Sequence, residues 1–173
     1  KENLENAVRF VMAIGGSTNT VLHLPAIAHE AGIELTLDDI DRLSAQTPCV
    51  AKYKPSSQYT LWDFYQAGGV GAILGVIAPL LNKEVLTVTG KTIESYIRDV
   101  KSWETIRPLD NPLQPQGGIV ILKGNLAPDG AVIKVSGIKD APTRQVGPAK
   151  TFESEEDLME HIMTKEIKPG DVL

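Results

Sequence analysis

Apolar residues at Leu4, Ala7, Val8, Val11 and Met12 recur at i, i+3, i+4, i+7 and i+8, which draws a single stripe and predicts an amphipathic helix. Gly15 and Gly16 should end it, because glycine takes the left-handed position after a helix without a Cβ penalty. Ser17 or Thr18 then caps a second helix through about Ala31, with Val21, Leu24, Ile27, Ala28 and Ala31 expected inward. Pro25 sits inside that helix and removes the bond to the Val21 carbonyl, so a kink that adjusts local packing is expected. Three later starts pair a capping hydroxyl with an acid three residues on: Thr36 with Asp39, Thr60 with Asp63 and Ser154 with Asp157. They predict helices over 37–45, 61–67 and 155–164, and apolar spacing adds helices over 70–81 and 92–99. Val85 to Val88 is a short β-branched run and reads as a buried strand.

The pattern changes at Arg107. RPLDNPLQPQGG, residues 107–118, holds three prolines and two glycines and can continue neither a helix nor a central strand, so it reads as a connector between domains. Beyond it the chain is β-rich. Ile119 to Leu122 and Ala131 to Val135 read as strands, with Asp129 and Gly130 as the turn between them. The division expected is therefore 1–106, 107–118 and 119–173. The last residues, Gly170 to Leu173, look like the entry to a further strand, so a piece of a longer polypeptide is expected.

Composition narrows the classes. With 42% hydrophobic and 23% charged residues in 173, a packed core is available and disorder is not expected. The net charge of −5 and a pI near 5.2 leave no basic footprint for nucleic acid. The apolar run from Val70 to Leu81 is interrupted by Gly and Pro and falls short of the roughly 20 residues a membrane span needs, and no signal peptide is visible. Cys49 is the only cysteine, so no disulfide framework can form and the cytosol is the expected compartment. A single thiol also cannot supply the shell of an iron–sulfur cluster or a structural zinc.

Several motifs fail on spacing. Gly90, Lys91 and Thr92 resemble the end of a phosphate-binding loop, but Val85 stands where the first glycine belongs. Gly68, Gly69, Gly71 and Gly75 hint at a dinucleotide loop, yet Leu74 occupies the third glycine's place and a helix precedes them; a tight helix-to-helix turn is the better reading. His23, His29 and His161 show no metal spacing, and His161 is placed on the exposed side of a charged helix. The local candidate for a site is Gly15, Gly16, Ser17, Thr18 and Asn19, with His23 one turn on. Two glycines admit a ligand close to the backbone, and the helix start suits an anion. A capped helix joint with no ligand explains the same residues, and both readings stay open.

Read in order, several phrases resemble the dihydroxy-acid dehydratase and phosphogluconate dehydratase family. They are MAIGGSTNTVLHLPAIAHEAGIELTLDDIDRLS (12–44), KPSSQYTLWDFYQAGGVGAIL (54–74), LTVTGKTI (86–93), IRPLDNPLQPQGGIVILKGNLAPDGAVIKVSG (106–137), VGPAKTFESEEDLMEHI (146–162) and the closing IKPGDVL. They are collinear and cover nearly the whole chain.

The resemblance implies a mixed α/β fold, the end of a large α/β domain followed by the beginning of a smaller β-rich swivelling one. It implies a hydro-lyase that converts 2,3-dihydroxy carboxylic acids into 2-keto acids, in branched-chain amino acid biosynthesis. An iron–sulfur cluster would act as Lewis acid, and magnesium, held by acids and a carbamylated lysine, would help bind substrate. The family's cluster cysteines, magnesium ligands and catalytic serine match no position here, so no catalytic or metal-binding residue is assigned and no cofactor is expected on these residues alone. Gly15, Gly16, Ser17, Thr18, Asn19 and His23 match the family's GGSTN phrase and are expected to face the substrate cleft. The parent is expected to be a homo-oligomer, and this section alone inactive. Pro55 to Tyr59 depart from the family's usual Pro-Ser-Gly-basic-Tyr phrase, and Asp63 with Phe64 and Tyr65 is closer to sugar-acid dehydratases, which leaves an aldonate or phosphogluconate enzyme as the alternative. A free-standing, non-catalytic binding protein is the rival from another class.

Overall fold

A computed structural model describes residues 1–135, 144–164 and 166–173. The chain is a mixture of helices and a small antiparallel sheet, divided into two compact units, Lys1–Ile138 and Lys139–Leu173.

In the first unit, α1 (Glu2–Ala13) buries Val8, Met12 and Ala13. It contributes to both halves of the core. Ala13 joins a cluster with Val50, Ala51, Ile73 and Ile77, whereas Val8 and Met12 join Ile40, Leu43, Ile119 and Ile121. The helix ends as the sequence predicts. Gly15 is left-handed at φ 59°, its amide donates to the Met12 carbonyl at 3.2 Å and that of Gly16 to Val11 at 2.9 Å, a Schellman closure.

α2 (Asn19–Glu30) runs unbroken through Pro25 and buries Val21 and Ala28. Ile27, at 57% exposure, and Ala31 face outward, contrary to expectation. This helix is apolar on more than one side, and the core reaches only the Val21–Ala28 stripe, so periodicity alone overcounts its inward positions. α3 (Leu37–Ala45) and α4 (Leu61–Gln66) each begin with a complete capping box, Thr36 with Asp39 and Thr60 with Asp63. The stretch expected as one helix over 70–81 is α5 (Gly69–Val76) followed by a 3-10 turn at Ala78–Leu80, where Pro79 cannot extend the α-helical ladder. Gly68 and Gly69, at φ 113° and 61°, form the α4–α5 joint, and a Cβ on Gly71 would lie 2.8 Å from the Tyr96 carbonyl. The glycine cluster is a packing device, as its spacing suggests.

Two expectations fail between residues 85 and 99. Val85–Val88 forms no strand; Leu86 makes one isolated bridge to Thr92 around a turn closed by Gly90, and Val88 is fully exposed. The helix over 92–99 shrinks to a 3-10 turn, Ile93–Tyr96. Beyond it the backbone is held by the glycine face of α5, the Arg98 amide donating to the Gly71 carbonyl at 3.0 Å, and that tertiary bond replaces further helix.

Strands β1 (Ile119–Gly124) and β2 (Ala127–Lys134) form the antiparallel hairpin. Its turn is Asn125 and Leu126, not Asp129 and Gly130. Gly130 lies inside β2 at φ 112°, opposite a register shift between Leu122 and Gly124, so the Asp-Gly pair builds a bulge. The outer edge of β1 is covered by α3. Ser44 Oγ donates to the Ile119 carbonyl at 2.5 Å, and Asp41 Oδ1 accepts the Ile121 amide at 2.9 Å. These two side chains do what a third strand would do.

The second unit holds α6 (Glu155–Met163), capped by Ser154, and a single parallel bridge between Ala149 and Val172. Lys150 pairs with Asp171 at 3.1 Å. His161 is half-buried, its ring edge-on to Phe152 at 5.1 Å and its Nδ1 2.8 Å from the Asp157 carbonyl, so it is more engaged than a solvated helix face would leave it. No helix among the described residues is long and apolar enough to cross a membrane.

Asp39 ties the first unit together at its surface, bonded to Arg42 at 3.0 Å and Lys1 at 3.1 Å while closing the Thr36 cap. The Arg42 guanidinium is the largest cause holding its carboxyl at about 2, against an ordinary 3.8. A depressed carboxyl contributes stability that is present above the unfolded value and lost as pH falls through the folded one. Stability of the chain should therefore decline between pH 4 and 2, and Asp39→Asn should be less stable at pH 7 with a flatter decline, read by urea melts across that window.

Candidate functional site

The six sequence candidates fall at one place, the α1–α2 joint. Gly15 is buried and Gly16 half-buried, while Ser17, Asn19 and His23 are exposed and Thr18 is intermediate. The glycines serve the backbone first. A Cβ on Gly16 would stand 2.6 Å from Val11 Cγ1 and 3.1 Å from the Val11 carbonyl, so the chain turns tightly against α1. Thr18 is the N-cap of α2 but makes no side-chain cap bond. Ser17 takes that part, its Oγ accepting the Asn19 amide at 3.3 Å and its carbonyl the Thr20 amide at 3.1 Å. The Val21 amide donates to the Thr18 carbonyl at 3.0 Å.

Much of the positive helix start is thus spent internally. What the joint offers outward is a hydroxyl, a carboxamide and an imidazole. Asn19 and His23 are one turn apart on the same face of α2, with Cβ atoms about 5–6 Å apart in such a pair. Leu22, at 69% exposure, lies beside them. The arrangement suits hydrogen bonds to a small polar ligand and holds no nucleophile–base pair.

Cys49, the chain's one thiol, is fully buried, and its Sγ lies 3.4 Å from the Ala51 carbonyl. Burial pushes the thiol's pKa up, which disfavours the thiolate that would bind iron. Among the described residues no three His, Cys, Asp or Glu side chains gather to hold a metal ion. A lone, buried thiol does not fit the several-thiolate shell of an iron–sulfur cluster.

Sequence reasoning missed an open depression of about 410 Å³, lined by Tyr65, Gln66, Gly68 and Lys101 and by none of the six candidates. Lys101 carries no motif, and it is brought to α4 only because its amide donates to the Ala67 carbonyl at 2.9 Å.

Comparison with known proteins adds the wider frame. Residues 1–96 match the family model described as dihydroxy-acid/6-phosphogluconate dehydratase N-terminal, and residues 104–173 match its C-terminal counterpart. Dihydroxy-acid dehydratase of Caldicellulosiruptor bescii is 48% identical over 176 residues, covering 99% of this chain and 32% of the relative. Those of Sulfurisphaera tokodaii and of Synechococcus sp. strain JA-3-3Ab are 46% and 44% identical, again over 32% of their length. The chain spans about a third of the curated relatives it matches.

Two outcomes test the joint and the thiol. Gly15→Ala should destabilise the chain by about 1 kcal/mol, since alanine resists the left-handed conformation, whereas Ser17→Ala and His23→Ala should stay within roughly 1 kcal/mol; denaturant melts decide. Cys49 should resist a thiol reagent in the native chain and react fully once urea unfolds it.

Proposed function

Because the chain belongs to the dihydroxy-acid/6-phosphogluconate dehydratase family, we propose that it is a section of a hydro-lyase that dehydrates 2,3-dihydroxy carboxylic acids to 2-keto acids. The observation that carries this is the order of the matches: an N-terminal model on 1–96 and a C-terminal model on 104–173, with 48% identity to one curated dehydratase across 99% of the chain. On this reading 1–106 closes a large α/β domain, 107–118 joins it to the next, and 119–173 begins a β-rich one. The whole enzyme is a cytoplasmic homo-oligomer serving branched-chain amino acid biosynthesis.

The reaction removes the C2 proton and the C3 hydroxyl as water, and the enol left behind becomes the 2-keto acid. An iron–sulfur cluster would be held by parts of the parent outside these residues, since the lone buried Cys49 does not fit its thiolate shell. The contribution of this section is binding and shape. Ser17, Asn19 and His23, carried on the rigid α1–α2 joint, hydrogen-bond the substrate's carboxylate and hydroxyls, and Gly15 and Gly16 keep that wall close to the backbone. Alone, the section is inactive. A second reading, a sugar-acid dehydratase, is favoured by the Asp63, Phe64 and Tyr65 phrase at α4.

The test is a chimera in which this chain replaces the matching third of the C. bescii dehydratase. It should turn over 2,3-dihydroxyisovalerate, Ser17→Ala with Asn19→Ala should raise KM more than it lowers kcat, and the 173-residue chain alone, treated anaerobically with iron and sulfide, should show neither cluster absorbance nor keto acid. Turnover of aldonates in place of the branched-chain substrate would move the assignment to the second reading. A folded chimera with no activity on either class would leave a non-catalytic protein.

A further inference from the structure

α4 is six residues long and is pinned on one side only. Phe64 packs against the buried ring of Tyr53, with centroids 5.2 Å apart. The Thr60–Asp63 box fixes the first turn, and the left-handed Gly68 and Gly69 fix where the helix stops. The helix therefore cannot roll to hide its other side, where Leu61, Trp62 and Tyr65 are exposed at 73%, 66% and 67%. Val70, at the start of α5, adds 53%. The Trp62 and Tyr65 rings are stacked, 5.5 Å apart and inclined by 28°, so the surface is flat and ordered before anything meets it. Large aromatics held rigid in water are unusual on a finished surface and frequent at the centre of contacts.

We infer that this face of α4, with Val70, is the seat of another portion of the same dehydratase polypeptide, one belonging to the N-terminal domain and lying outside these 173 residues. The inference rests on the reading of the chain as a section of a dehydratase. Two observations choose the occupant. About two thirds of the length of the curated relatives lies beyond their match to this chain, and α4 falls within the stretch matching the N-terminal model. Four apolar residues are too few to hold two copies of this 173-residue section together by themselves, since a stable contact uses on the order of 20–30 residues a side. A segment already tethered in the same chain needs far less.

Hydrogen exchange at residues 60–70, compared between the isolated chain and the C. bescii chimera, tests this. Exchange should be at least roughly tenfold slower in the chimera, independent of protein concentration, and Trp62→Asp should restore the fast rate in the chimera while leaving the isolated chain folded. Leu126→Ser, at the exposed hairpin turn, should change neither. Equal exchange in both proteins overturns the inference, as does protection that appears only on self-association, which would make a second copy the occupant. The chimera's activity is a separate readout. An active chimera with α4 unprotected sinks this inference alone, whereas an inactive, folded chimera sinks the dehydratase reading on which the inference rests.

Discussion

Thr47, Cys49, Val50 and Ala51 are fully shielded from water, yet they belong to no helix and to no pairing beyond the isolated bridges Cys49–Gln114 and Ala51–Ile106, so each backbone group there must find its own protein partner. The partners come from distant stretches. The Ala13 carbonyl accepts the amides of both Val50 and Ala51, at 2.8 and 3.0 Å. The Cys49 carbonyl accepts from Leu113 and Gln114, the Cys49 amide donates to the Gln114 carbonyl, and the Val50 carbonyl accepts from Arg107. One buried thread thus ties the end of α1 to the start and the middle of the proline-rich stretch. An unpaired group here would cost about 1–3 kcal/mol, which is why the surrounding loops have so little freedom.

That constraint explains where the outward-facing residues lie. With Ala13 fixed by the thread, the Schellman closure at Gly15 and Gly16 follows directly, and the direction of α2 is set before any ligand is considered. Gly117, whose Cβ would stand 2.8 Å from Met12 Cβ, brings the chain back beneath α1, and Ser44 and Asp41 then receive β1. Ser17 caps the joint through its Oγ, whereas Asn19 and His23 are displayed by a frame in which their side chains have no part. A substitution at His23 therefore leaves that frame intact, and one at Gly15 reports on the frame.

Local chemistry was legible where it is local. The stripe of α1, the capping boxes at Thr36 and Thr60 and the glycine stop at Gly15 all depend on residues within four positions of one another, and the helices stand where those signals put them. The failures share the opposite property. Val85–Val88 has strand-forming residues but no neighbouring strand, and β propensity without a partner has nothing to stabilise it. Asp129 and Gly130 carry a hairpin signal, but Gly124 and Asn125 lie nearer the pairing that forms, and Gly130 is used for a bulge against Leu37. The outward side of α2 was misjudged because an apolar side chain does not say whether the chain in hand supplies its cover.

The same logic governs the candidate site. The GGSTN phrase pointed to one joint, and geometry gathers all six candidates there, but a joint shows only which groups face outward. Cys49 is a more decisive residue. A thiolate that binds iron must be reachable and easily ionised, and this one lies at full burial in the thread that holds the unit together. Drawing it into a metal shell would mean breaking the bonds at Cys49 and Val50 on which the α1 terminus depends. Its place in the fold is thus incompatible with a role as an iron ligand. At the surface, the stacked rings of Trp62 and Tyr65 mark a section built to be covered as well as to cover.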